Sequence, residues 1–357
     1  MEQIMPKTHV RFDKEMTGII KGFGILFMMF LHCFDNTYDT PLDFTYSLSS
    51  VHSVFKICVG MFVFMVGYGY SFSKTKDYHY GVQHIKKLLV PFWTILFLFT
   101  FPFCFTEVIN DDYKRLFFNL FGIDSYYNWY SWFVYFFIFA MLLMPFIARY
   151  IDKKPVINTA VVVFIAVLLS IAIHELPRLA LSLFGVKMGA IIENKPLLAI
   201  FNCLMMTPCM VLGYLFAHNS YFERIKIDGF SKPRVIVFCC AIIIITFVLR
   251  FTIRIKHNPF QLDFFYAPMM IGAIVVLFNK FTLKSLRKVF GKMGEVSVYM
   301  WFFHALFFTT PVKWFYQPSI TIFNHINLVV IWAVILTFAA SWLIKSVVDH
   351  IIRLFSK

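Results

Sequence analysis

Charge is scarce in this chain: Asp, Glu, Lys and Arg together make up 15% of its 357 residues, while 60% are hydrophobic and 47 are Phe. A water-soluble domain of this length has no use for so much apolar surface, so the sequence describes a polytopic membrane protein. No hydrophilic block, linker or low-complexity run marks a second domain, and no internal repeat of the kind found in many transporters is visible. Walker, GxSxG, HExxH and dinucleotide motifs are missing, which leaves no known route to nucleotide-driven work and indicates no metal site. The seven Cys (33, 58, 104, 203, 209, 239 and 240) form no CxxC and no metal spacing, and they read as small packed hydrophobes. No small-residue cleavage site follows the first apolar run, so a removed signal peptide is not expected. The net charge of +14 raises the idea of nucleic acid, but membrane topology accounts for it and no nucleic-acid partner is expected.

What is present is a series of apolar runs. Ten are about long enough to cross a hydrocarbon core of roughly 30 Å: 17–34, 52–73, 84–105, 129–149, 156–174, 197–217, 235–253, 264–280, 295–316 and 326–346. Basic residues sort between the intervening loops. The amino-terminal arm, the loops 74–87, 149–154, 224–234 and 280–292, and the tail from Lys345 carry 22 Lys and Arg; the opposite loops carry 10, and Lys21 is intramembrane. Positive charge collects in the cytoplasm, so both termini are expected there. The expected fold is an all-α integral membrane protein of about ten transmembrane helices, with an arm at 1–16, one membrane domain at 17–346 and a tail at 347–357.

Within the first span, Lys21 and His32 are eleven positions apart. Eleven steps of about 100° return a helix to nearly the same face, roughly 16 Å along its axis. A cation and an imidazole on one stripe turn that stripe toward protein or water rather than lipid. Lys21 alone fits a snorkelling Lys near the inner surface; His32, in the outer half, is harder to reconcile with packing alone. Histidine is suited to taking a proton from a hydroxyl near neutral pH. Asp35, at i+3 from His32, either orients the imidazole or simply ends the helix in solvent.

Other signals are open in two directions. Gly67 and Gly69 in span 2 allow close helix approach. Lys74, Lys76, Lys86 and Lys87 form an inner cluster that positive-inside topology predicts and that an anionic donor such as a nucleotide thioester would also want. Glu295, Ser297, Tyr299, Trp301 and His304 follow one another along span 9, where a lone His is often a packed one. Arg250 and Arg254 close span 7 on the outer side, either snorkelling or holding an anionic group of an acceptor. Tyr126, Tyr127, Trp129, Tyr130 and Trp132 read as an interfacial belt, with a sugar-stacking platform as the alternative. The outer stretch from His174 to Pro196 has room for a short re-entrant or interfacial helix.

Four of these pieces, in order, resemble the membrane-bound acyltransferase family 3, which includes O-acetyltransferases of bacterial surface polysaccharides. They are Lys21-Gly22-Phe23-Gly24-Ile25 through His32, the Phe62–Phe72 run with Gly67-Tyr68-Gly69, Lys86-Lys87-Leu88-Leu89-Val90-Pro91, and Gly291 to His304. The resemblance implies a multi-pass protein of a bacterial inner or plasma membrane that modifies cell-envelope polysaccharide. Its acyl group, commonly acetyl, would come from cytoplasmic acyl-CoA and pass to a hydroxyl of an extracytoplasmic glycan. His32 would be the catalytic residue, as base or as acyl relay, with Lys21 and the Lys74–Lys87 cluster on the donor side. Lys stands at 21, 86 and 87 where Arg is frequent, and Lys lacks the bidentate fork for phosphate. The sequence shows no esterase-like stretch of the kind fused to some members, so the membrane unit is expected to complete the transfer or hand on to a partner. The rival classes are an exporter of a glycan or small polar solute, and a scaffold of a polysaccharide-assembly complex. An exporter is expected to place ionisable residues near the midplane of several helices, and spans 4, 5, 6, 8 and 10 carry almost none.

Overall fold

The structure is a computed structural model that describes residues 9–36, 42–45, 48–73, 75–184, 195–253, 262–308 and 311–355. Among these the chain is helical throughout, with only two isolated bridges, His9 to Lys226 and Asp43 to His325. The first helix, α1 (Lys14–Asn36), starts where the Asp13 carboxylate accepts the Met16 N–H at 3.0 Å, satisfying one of the donors that a helix start leaves open. A 3-10 helix (Leu48–Lys56) leads into α2 (Ile57–Ser71). The third crossing is α3 (Tyr78–Ile95), continued by a π turn (Leu96–Thr100), a 3-10 turn (Phe101–Cys104) and α4 (Phe105–Asn110). A short α5 (Tyr113–Leu120) and a 3-10 turn (Trp129–Ser131) precede α6 (Trp132–Ile151). Then come α7 (Pro155–Phe184), α8 (Lys195–His218), α9 (Lys232–Thr252), α10 (Asp263–Lys280) and α11 (Lys284–Phe303). Short α12 (Ala305–Phe308) and α13 (Lys313–Tyr316) lead to α14 (Ile326–Phe355).

Nine helices among the described residues are long and apolar enough to cross a membrane. The chain is thus an all-α polytopic membrane protein. The ninth expected span falls on α11, which is not among those nine helices and corrects the sequence reading. It begins at Lys284 rather than 295 and breaks at His304, before residue 316. Lys284, Arg287, Lys288 and Lys292 hide its first turns from a hydropathy reading, yet α11 runs parallel to α1, with Gly291 and Gly294 beside Gly18 and His304 beside His32. The outer stretch after span 5 also differs: α7 continues as one helix to Phe184, and 185–194 lie outside the described residues.

The loops that the charge count puts on one side do meet there. Val10 N–H donates to Ile225 O, Arg11 exchanges two hydrogen bonds with Asn279, Lys280 Nζ donates to Ile227 O, and Arg287 pairs with Glu15. At the other end Asp43 pairs with the Asn324–Ile326 segment, and Tyr127 donates to Asp111 at 2.8 Å. Burial, with that carboxylate, raises the pKa of the Tyr127 phenol, which keeps it a neutral donor fastening the outer loop.

Lipid offers helices no hydrophobic preference for one another, so backbone-to-backbone fit decides the pairing. On α2 and α8, a Cβ at Gly67 would stand 1.8 Å from Met210 O, and one at Gly213 would stand 2.0 Å from Phe64 O. Gly69 has open space, so only Gly67 serves a close approach. On α1 and α11, a Cβ at Gly294 would stand 2.0 Å from Gly18 O, and one at Gly22 would stand 2.2 Å from Phe290 O. Gly294→Val is therefore expected to push α11 off α1 at a cost of about 1–3 kcal/mol. A lower thermal midpoint of the detergent-solubilised protein checks this, and an unchanged midpoint contradicts the tight crossing.

Candidate active site

Helix α1 is unbroken from Lys21 to His32, so the two side chains keep the common stripe of an ideal helix. Ile25 and Met28, between them, are buried. Lys21 is half-buried toward the start of α1, within electrostatic range of His84 on α3. His32 lines a cavity of about 280 Å³ together with Lys56, Trp129, Tyr130, Trp132 and Trp301.

Three rings meet at that cavity. Tyr130 lies 3.9 Å from His32 and 4.6 Å from His304 by ring centroids, and the two imidazoles are 5.3 Å apart. The turn carrying Tyr130 is stapled to the end of α11: Trp301 Nε1 donates to Tyr130 O at 2.9 Å, and Asn128 Nδ2 donates to Phe302 O at 3.1 Å. His304 sits at the helix break, fully buried. Its Nδ1 is 3.1 Å from Met300 O. A carbonyl can only accept, so Nδ1 carries the hydrogen and Nε2 presents a lone pair; Nε2 has no hydrogen-bond partner among the described residues. A second cavity of about 320 Å³ shares Trp129, Trp132 and Asn202 with the first and extends past Arg115 and Tyr126. The arrangement offers an imidazole in a partly desolvated, aromatic-walled pocket, suited to taking a proton from a bound hydroxyl.

The other site residues expected from sequence do not all gather here. Lys76 Nζ is held by Asp152 at 2.9 Å and the Tyr214 hydroxyl at 2.7 Å, an inner-side ion pair. Lys86 and Lys87 are exposed on α3. Glu295 is exposed and paired with Lys292 at 2.9 Å, about 13 Å along α11 from His304. Ser297 donates to Gly294 O inside α11, and Tyr299 is buried in the core. Arg250 is buried against Asp263, with Nε and Nη2 donating at 3.1 and 3.2 Å. The Asp35 side chain, Lys74 and Arg254 lie outside what is described. The aromatic group is not a simple belt: Tyr127 and Tyr130 are core residues, while Trp129 is 66% exposed at the cavity mouth.

Lys56 and Asn202 are site-lining residues that sequence reading did not select, and it named Tyr130 only within the aromatic group, not as a partner of His32. Lys56 and Asn202 each place a polar group beside or within an otherwise apolar run, the same signal that drew attention to His32. Tyr130 carries no such signal, because an aromatic at a membrane boundary is ordinary.

Comparison with curated proteins and with solved structures gives no match. The family model described as an acyltransferase domain, that of acyltransferase family 3, matches residues 18–346, from the first turns of α1 through the membrane part of α14. With a match over that much of the chain, on a helical membrane fold with His32 at a cavity, the protein belongs to the acyltransferase 3 family and is a membrane acyltransferase.

Proposed function

We propose that the protein is a transmembrane O-acyltransferase that takes an acyl group, commonly acetyl, from cytoplasmic acyl-CoA and passes it to a hydroxyl of an extracytoplasmic glycan. The observation that carries this reading is the cavity lined by His32, on the same helix that carries Lys21 nearer its other end. In the reaction the acceptor oxygen bonds to the thioester carbonyl carbon, His32 takes the hydroxyl proton, and the carbon–sulfur bond breaks. The CoA thiolate leaves and is reprotonated. His304 and Tyr130 pack on the His32 ring and hold its plane, which keeps the base near attack geometry. Lys21, with the exposed Lys86 and Lys87, serves the donor's phosphates as point charges. Ile25 and Met28 are packed between the two ends, so the donor's arm reaches His32 by displacing side chains along α1.

The test uses protein in liposomes supplied with acetyl-CoA labelled in its acetyl group and a glycan extract. Label leaving CoA only when His32 is present supports the reading, and no movement of label overturns it. Lys21→Ala is expected to raise the apparent KM for acyl-CoA about tenfold and that for the acceptor little, as loss of one charge-assisted phosphate contact would. An unchanged donor KM in that variant would remove Lys21 from the donor site.

A further inference from the structure

A third cavity, of about 370 Å³, lies between the starts of α1 and α11. From α1 it takes Glu15; from α11 it takes Lys284, Arg287, Lys288, Gly291, Lys292 and Glu295. Arg287 pairs with Glu15 at 3.1 Å and Lys292 with Glu295 at 2.9 Å, which leaves Lys284 and Lys288 outside both pairs. Four cations against two carboxylates give the described lining a surplus of two positive charges. Their placement runs against local preference. Lys284, Lys288 and Lys292 follow one another at four-residue steps, so they share a face of the helix and repel. The first turns of a helix also favour anions over cations, yet α11 has no acidic residue in its first turn. Positive-inside topology accounts for cations near a helix end, but not for their alignment along one face of a cavity.

Gly291 is an independent sign. The crossing of α1 and α11 requires Gly22 and Gly294, but a Cβ on Gly291 would meet nothing within 4 Å. Glycine is a poor helix former, and packing gives no reason for one here. Its effect is to leave backbone bare at the cavity wall, as close approach of a ligand requires.

We infer that this cavity binds a phosphate group, held by Lys284 and Lys288 with Lys292 beside them and set against Gly291. Phosphate offsets the surplus charge and relieves the repulsion between the lysines, which meet it as point charges. Two sources carry this chemistry, the phosphates of a coenzyme A thioester and an anionic phospholipid headgroup. The first rests on the transferase reading; the phosphate site itself does not.

Isothermal titration calorimetry on the full-length protein in phosphatidylcholine nanodiscs reads the first source. Coenzyme A is expected to bind about tenfold or more tighter than pantetheine, which lacks the phosphates. Thermal midpoints in nanodiscs with and without phosphatidylglycerol read the second, which is expected to raise the midpoint where a headgroup fills the cavity. Whichever ligand acts, its effect is expected to fall about tenfold or vanish in the double variant Lys284→Gln with Lys288→Gln. It should persist with Arg at both positions, weaken with salt in the wild type, and vanish in Gly291→Leu, whose side chain enters the cavity. Ligand-free Gly291→Leu should keep or raise its thermal midpoint, because Leu is the better helix former, so a loss of binding there is not a loss of fold. No effect of either ligand, or pantetheine equal to coenzyme A with no lipid effect, would overturn the site. So would an effect indifferent to salt, to the paired Gln substitutions or to Gly291→Leu. Where the paired variant fails to fold, Gly291→Leu and the salt series decide. Coenzyme A bound here without acyl transfer would count against the transferase and leave the site. Acyl transfer with the same donor KM in the paired variant, and no lipid effect, would do the reverse.

Discussion

His32→Ala is expected to lower acyl transfer by about 10²–10⁴-fold, the usual contribution of a positioned acid–base group, while leaving the protein inserted and folded. The expectation of intact folding comes from packing. His32 is only half-buried at the cavity wall, and its neighbours Leu31 and Cys33 remain in the core. Truncation enlarges an existing cavity more than it opens a new one. Tyr130 and His304 keep each other's stacking at 4.6 Å, and the turn bearing Tyr130 stays fastened through Trp301 and Asn128. The check is labelled acetyl transfer in liposomes together with a thermal midpoint and elution profile matching the wild type. Retained transfer would end the role of His32; lost transfer with a collapsed elution profile would show a structural role instead.

Arg250→Ala or Asp263→Ala should each cost about 3–5 kcal/mol of stability, because either leaves an ionised partner buried without compensation. Arg250 is 5% exposed and Asp263 1%. Cys209 Sγ also approaches the Asp263 carbonyl, and a Cβ on Gly60 would stand 2.8 Å from Asp263 Cβ, so the pair is closely packed on the side of α2 and α8. The double variant Arg250→Met with Asp263→Leu is expected to recover most of that stability, since a packed apolar pair removes both desolvation penalties. It should not recover activity, because the bond to Ser53 that steadies the Lys56 segment goes with Arg250. Thermal midpoints of wild type, Arg250→Met, Asp263→Leu and the double variant form a double-mutant cycle. Additive losses, with no recovery in the double variant, would mean that the two side chains do not act as a pair.

The sequence made some of this legible and not the rest. Hydropathy located the crossings because each run must satisfy its own length against the bilayer, and the 22-to-10 bias of Lys and Arg grouped loops that the fold does bring together, Arg11 with Asn279 and Val10 with Ile225 among them. The helical period set Lys21 and His32 on one stripe, since that relation lies within a single helix. The beginning of α11 was hidden because its snorkelling and ion-paired lysines look like a loop to any scale that counts charge. The partners of His32 were hidden for a different reason. Lys56, Tyr130 and His304 are separated from it by up to hundreds of positions, and no local pattern encodes which faces of which helices meet.

The sequence by itself therefore determined that this is a helical membrane protein, how its loops sort by charge, which stripe of α1 is polar, and the family it resembles. Only the tertiary structure decided that His304 and Tyr130 close on His32, that Lys56 rather than Arg250 lines the cavity, and that Glu295 is exposed and paired with Lys292. The physical reason is that burial in lipid fixes a helix's depth but not its neighbours. Those are chosen by close backbone crossings such as Gly18 with Gly294 and by interhelical hydrogen bonds such as Arg250 with Asp263, which exist only once the helices are assembled.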